Sequence, residues 1–292
     1  MRSAVAVLGL ALLLAAGCGP VRQAPSPEEA AILDPGSVLA RHNTWADSVQ
    51  TLWARAALML NFPTGEAGGK RMQHDLDGHV FLSGRDRLFV HGTVVGQEVF
   101  QVGMNPERFW LWIRPEVNTV WTGKRGGKGE RDFVLSPADL MTALGLRRID
   151  LAPEDSADLV AQQRHYVFTQ QRRAGSLLVP VRRTWFDRAT LRPVRVDVFN
   201  DFGKRLLMAE LLQYVRAGET DVCAVYRARF FGDEEVDLVL RLTGVRLDKE
   251  IKPRVFEYRL PPGATERDLD VRADDLQSPD PAAPAPSAPP GP

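Results

Sequence analysis

The sequence predicts an α+β chain that is mainly antiparallel β: a curved sheet or incomplete β-barrel with helices over its concave face. From Arg55 to Leu247, apolar and polar residues alternate with a period of two, in about eleven short runs. Glycine, proline and Asx residues separate these runs at hairpin spacings. Only two stretches, one before the runs and one among them, carry helical signals. Sequential strands joined by short turns usually lie side by side, and a meander of that length curls into a strongly curved sheet or partial barrel that two helices can plug.

The chain opens Met1-Arg2-Ser3, runs apolar from Ala4 to Ala16 and reaches Ala15-Ala16-Gly17-Cys18. A charged start, a short apolar stretch and small residues at a cut site are the layout of a signal peptide. The run is shorter than the roughly 20 residues a permanent span needs. Ala-Ala-Gly-Cys resembles the lipobox of bacterial lipoproteins, with Ala15 where Leu is commoner. That resemblance implies removal of residues 1–17, lipid on Cys18, and anchoring to a membrane. Gly19, in place of Asp, implies the outer membrane, facing the periplasm. An ordinary secretory signal that happens to contain a Cys is the other reading. Residues 18–36 read as a lipidated tether, 37–270 as the folded domain, and the Pro- and Ala-rich 271–292 as a disordered tail.

Val38, Trp45, Val49, Leu52 and Trp53 recur at helical spacing, so Ser37 to about Arg55 is expected to be a helix, with Arg41, His42, Asn43, Asp47 and Gln50 on its polar face. Strands are expected over 55–62, 70–82, 87–91, 98–102 and 108–113. Ser136-Pro137-Ala138-Asp139 has a capping Ser, Pro at the first helical position and an acid in the first turn, so a helix is expected over 137–144, ending at Gly145. Strands follow over 164–169, 177–186, 193–199, 205–214, 222–231 and 236–247. Val194, Val196 and Val198 oppose Arg195 and Asp197, and Val236, Leu238, Leu240 and Leu242 oppose Asp237 and Arg241, as in sheets with one wet face.

Thirty-seven basic and 37 acidic residues leave no net charge, which argues against a general nucleic-acid binder. With Cys18 lipidated, Cys223 stands alone in an apolar strand and reads as a buried thiol. No metalloprotease, zinc or nucleophile-elbow motif is present, and no carboxylate pair is singled out, so no enzyme, cofactor or metal is expected. His74 and His79 are odd-spaced and would face opposite sides of a strand, which reads as solvated residues rather than ligands. Gly123–Gly129 is basic and glycine-rich but lacks a P-loop ending; it reads as a solvated loop, with contact to anionic headgroups as the alternative.

Leu52-Trp53-Ala54-Arg55-Ala56, Gly78–Leu82 with Asp86–Val90, Thr93–Val99 with Arg108–Trp112, Ser136–Gly145, Thr184–Asp187, Thr190–Arg195 and Phe202-Gly203 occur in an order that resembles the LolA/LolB superfamily of periplasmic lipoprotein carriers and receptors. The resemblance covers roughly residues 37–262 in outline and rests on no single motif. It implies an incomplete barrel whose helical lid covers an apolar cavity for the acyl chains of a lipoprotein in transit. The lipobox makes the LolB-like role the nearer one. Thr93, Val94 and Val95 match the loop that meets the membrane in LolB-like proteins, with Val94 and Val95 at its tip; a simple strand start is the alternative. Candidate cavity-lining residues are Leu60, Phe89, Trp110, Trp112, Trp185, Val196, Leu238 and Leu240, with core packing as the alternative for each. The implied partners are the membrane, through the lipid on Cys18, and an acyl chain or lipoprotein. A structural or partner-binding lipoprotein with the same fold and no open cavity is the competing reading.

Overall fold

The computed structural model describes residues 32–63, 71–114, 118–127, 129–130, 136–232, 235–247 and 249–271. The expected signal peptide, Cys18, the tether up to residue 31 and the tail from residue 272 lie outside the described residues.

Helix α1 spans Pro35–Ser48. Asp34 caps it by accepting from the Ser37 N–H at 3.0 Å, and Pro35 occupies the first turn, where no N–H is needed. The helix is shorter than its apolar spacing predicts. From Thr51 the chain pairs with the strand that follows, Thr51 opposite Ser83 and Leu52 opposite Leu82, and that ladder overrides the local helical pattern. Fourteen strands of the described residues form one sheet: β1 (Thr51–Pro63), β2 (Arg71–Ser83), β3 (Arg87–Val94), β4 (Gln97–Met104), β5 (Arg108–Ile113), β6 (Thr119–Lys124), β7 (Asp155–Ala161), β8 (His165–Ala174), β9 (Leu177–Asp187), β10 (Pro193–Phe199), β11 (Arg205–Ala217), β12 (Thr220–Phe231), β13 (Glu235–Arg246) and β14 (Thr265–Asp268). Helix α2, Pro137–Ala143, separates β6 from β7, and a 3-10 turn at Pro253–Phe256 precedes β14.

The strand order is β14-β6-β5-β4-β3-β2-β1-β13-β12-β11-β10-β9-β8-β7. Two antiparallel meanders are therefore joined at the middle by β1 against β13, Leu58 facing Leu240 and Leu60 facing Leu238. The only parallel pair among the described strands is β14 with β6. Three of these strands were not read from the sequence. β7 and β14 are the two edges and expose most or all of their residues, so no burial alternation marks them. β6 runs into the basic, glycine-rich segment from Gly123 that reads as a loop from the sequence.

Alternation assigns side chains to two faces. The main core takes Leu52, Leu58, Leu60, Val80, Val90, Phe109, Leu111, Val196, Leu238 and Leu240, among others, with Leu140, Met141 and Leu144 from α2. A smaller cluster beside it takes Val38 of α1, Ile149, Tyr166, Phe168 and Phe186. The opposite face carries Trp110, Trp112 and Val120, packed against Phe89 and Tyr258. Residues 249–271 cover part of that face. Phe256 is buried, Asn105 donates to its carbonyl at 3.2 Å, and the Trp110 and Tyr258 rings lie 5.7 Å apart.

Candidate functional site

After α2 the chain crosses the helix-bearing side of the sheet as a strap, Leu146–Ala152, with no strand to pair with. Buried backbone groups need partners, and here side chains supply them. Every carbonyl from 147 to 150 accepts a side-chain hydrogen bond. His42 donates to Arg147 O at 3.2 Å and Arg182 to Arg148 O at 3.2 Å. Asn43 donates to Ile149 O at 3.0 Å and Gln170 to Asp150 O at 3.4 Å. Asn43 also accepts from the Ile149 N–H at 2.9 Å, and Asp47 pairs with both Arg148 and Arg85. Two residues assigned to the polar face of the first helix, His42 and Asn43, are thus its anchors to the strap, and His42 is 1% exposed. The sequence gives no local signal for this, because the strap lies about 105 residues away.

Burial holds His42 neutral and lowers its pKa to about 3; the nearby Arg182 acts in the same direction. A histidine whose folded pKa lies below its unfolded value stabilises the fold above the unfolded pKa and loses that contribution as pH falls. Between pH 6.5 and pH 5 the loss is about 2 kcal/mol at 1.36 kcal/mol per unit. Urea unfolding at pH 7.5 and pH 5.0 should show this drop, and His42→Gln should show a distinctly smaller one. An identical drop in the variant would assign acid sensitivity to other groups.

Two cavities flank the strap and share Arg147, Arg148 and Asp150. The first, 230 Å³, lies between α1, α2 and the sheet. Val49, Leu82, Met104, Met141 and Leu146 form its apolar wall, and Arg85, Arg125, Arg147 and Arg148 line it alongside them. The second, 260 Å³, is as mixed in its lining as the first, with Asp139, Thr142, Asp155, Arg172 and Arg182 beside Val181 and Val198. Burial raises the Asp139 carboxyl to about 6, against the lowering effect of its Ser136 hydrogen bond.

None of the eight candidate lining residues borders either cavity. Leu60, Val196, Leu238 and Leu240 do lie in the main core on the helix-bearing side. Phe89, Trp110 and Trp112 do not: their strand positions point them to the opposite face, under residues 249–271. Trp185 also points away from the helices. Its neighbours Thr184 and Phe186 are buried, while its own ring is half-exposed beneath the Arg195 guanidinium at 4.7 Å. Val94 ends β3, and Val95 sits at the tip of the β3–β4 hairpin, 102% exposed with φ 49°.

Cys223 is a buried free thiol, pushed up to about 11 by burial. His79 lies half-buried and hydrogen-bonds His91 across β2 and β3 at 3.3 Å, rather than being solvated. The described part of the basic loop is likewise not simply solvated. The Gly129 N–H donates to Asp270 at 3.3 Å, and the Gly126 N–H donates to Glu130 at 2.7 Å. Among the described residues no group of three or more His, Cys, Asp or Glu side chains converges as a metal site, and no described helix is long and apolar enough to cross a membrane.

The chain folds as one large unclosed curved sheet with helices on one side. Its structure is similar to that of a DUF1329 family protein from Desulfovibrio piger, with TM-score 0.51, 12% identity, and 76% of this chain and 95% of that one covered. It is also similar to a LolA superfamily protein from Nitrosomonas europaea, with TM-score 0.49, 10% identity, and coverage of 78% and 99%. A third likeness is to an outer-membrane lipoprotein-sorting protein domain from Vibrio parahaemolyticus, with TM-score 0.47, 10% identity, and coverage of 79% and 97%. No family model matches the sequence, and no curated protein matches it. At these identities the likeness is one of fold, and fold alone does not carry function.

Proposed function

We propose that this chain is a non-catalytic envelope lipoprotein, anchored to the outer membrane through lipid on Cys18 and facing the periplasm, that takes up an acyl chain of a lipid or lipoprotein during sorting or envelope biogenesis. The observation that carries this reading is the 230 Å³ cavity with an apolar wall beneath α2. Each methylene buried there gains ~0.8 kcal/mol. The volume falls below the roughly 300–1,000 Å³ usual for ligand pockets, so the cavity as it stands takes part of a chain.

The Val95 tip supports a membrane-facing hairpin. A β-branched residue at φ 49° is strained where Gly or Asn would be at ease. Such an outlier, fully exposed and apolar, points to a use outside the fold. Val95→Asn is expected to leave the fold as stable or slightly more so, while slowing delivery of a bound fatty acid to anionic vesicles. Unchanged delivery would leave the hairpin with no such role.

The reading is tested by titrating the Cys18→Ala chain, stripped of lipid, with a fluorescent fatty acid. Saturable one-to-one binding is expected, and Met141→Trp, whose ring takes the space the chain would occupy, should weaken it by about tenfold or more, that is by about 1.4 kcal/mol. The competing reading, a partner-binding lipoprotein with a filled interior, draws on the burial of Leu58, Leu60, Leu76, Leu238 and Leu240 to 5% exposure or less. Absence of any saturable uptake would select it.

A further inference from the structure

We propose that the 260 Å³ cavity behind the strap is an oxyanion site, in which Arg182 and Arg147 receive a phosphate or carboxylate group. The charges lining the cavity pair off unevenly. Asp150 takes Arg148 at 3.2 Å and Asp155 takes Arg172 at 3.1 Å. Arg182 and Arg147 make no ion pair among the described residues, and Asp139 is the one remaining carboxylate on the wall. Arg182 is only 7% exposed, and its Nε–H has no hydrogen-bond partner among the described residues. Its terminal nitrogens reach only the strap carbonyls, at 3.2–3.5 Å.

A guanidinium taken out of water without a counter-ion is costly. Neutral carbonyls at those lengths offset little of that cost. An oxyanion accepts from a guanidinium at about 2.7–2.9 Å and bonds roughly twice as strongly as a neutral acceptor. The free Nε–H next to an Nη–H is the side-on fork that two oxygens of one phosphate or carboxylate fit. Arg147 is exposed on the same wall and adds the second positive charge.

The two cavities share Arg147, Arg148 and Asp150 of the strap that runs between them. We place the anionic head of an amphiphile on Arg182 and its chain across the strap, toward Leu82, Met104 and Met141. The choice of an amphiphile as the ligand rests on the acyl-binding reading; the anion site itself does not.

Calorimetric titration of the full chain with inorganic phosphate, decyl phosphate and decanol separates these. Decyl phosphate is expected to bind at least tenfold more tightly than decanol, and Arg182→Gln should abolish that preference. Arg182 also holds the strap, so Arg147→Gln, at an exposed position, is the second variant, and it should reduce the preference severalfold. Phosphate binding alone, weakened by Arg147→Gln and with no binding of either decyl compound, would support the anion site for a free anion and sink the acyl reading. Equal affinity for decyl phosphate and decanol, or a preference that survives both substitutions, would overturn the anion site and leave the acyl reading standing.

Discussion

Gly78→Ala is expected to cost about 3 kcal/mol or more, at the upper end of what overpacking does, and to disorder the sheet at its centre. Gly78 sits on β2 between Ala56 of β1 and Gly92 of β3. A Cβ there would lie 1.8 Å from the His91 carbonyl oxygen and 2.8 Å from its carbon. Both are backbone atoms held in the ladder, so no side-chain rotation relieves the clash. A glycine inside a strand often marks such a close approach. The consequence is wide, because β2 connects one whole meander to β1 and, through it, to the other. Urea unfolding would show a large fall in midpoint. A variant with an unchanged midpoint would mean that β2 and β3 do not meet at this register.

Trp110→Ala is expected to cost about 3–5 kcal/mol, the usual range for deleting a buried aromatic, and yet to leave acyl-chain affinity unchanged. Trp110 is 1% exposed. Its ring lies where a Cβ on Gly103 would be, 2.2 Å from that position, and it packs 5.7 Å from Tyr258 and 6.3 Å from Phe89. Its removal would loosen the contact of residues 253–264 with the sheet. The proposed binding cavity lies on the other side, so stability and binding should separate. Unfolding curves measured beside the fatty-acid titration would show this. A loss of affinity matching that of Met141→Trp would place the ligand on the tryptophan face and remove the cavity assignment.

Local chemistry explains which elements were legible. Strands with one wet face, such as β13, announce themselves by alternation, and α2 by Ser136, Pro137 and Asp139 in sequence; β10 alternates in sequence too, but its Asp197 is 3% exposed and pairs with Arg195 and Arg205 instead of facing water. Alternation along β5 puts Phe109 and Leu111 on one face and Trp110 and Trp112 on the other. Parity cannot say which of the two faces carries the helices, and the tryptophans were therefore placed among the candidates for the wrong side. Size and aromatic character suggested a ligand wall, whereas residues 249–264 needed that same surface for their own burial.

The sequence by itself determined the period of eleven of the fourteen described strands, the turns between them, the capped second helix and the open, mainly antiparallel character of the sheet, because each depends on residues within a few positions of one another. Tertiary structure alone decided that β1 joins two meanders through β13, that His42, Asn43, Gln170 and Arg182 hold the strap, and that two cavities lie on either side of it. Those features bring together side chains from α1, β8 and β9 with backbone groups that no local pattern links. They arise because a strap without a strand partner must find its hydrogen bonds wherever the fold places a donor.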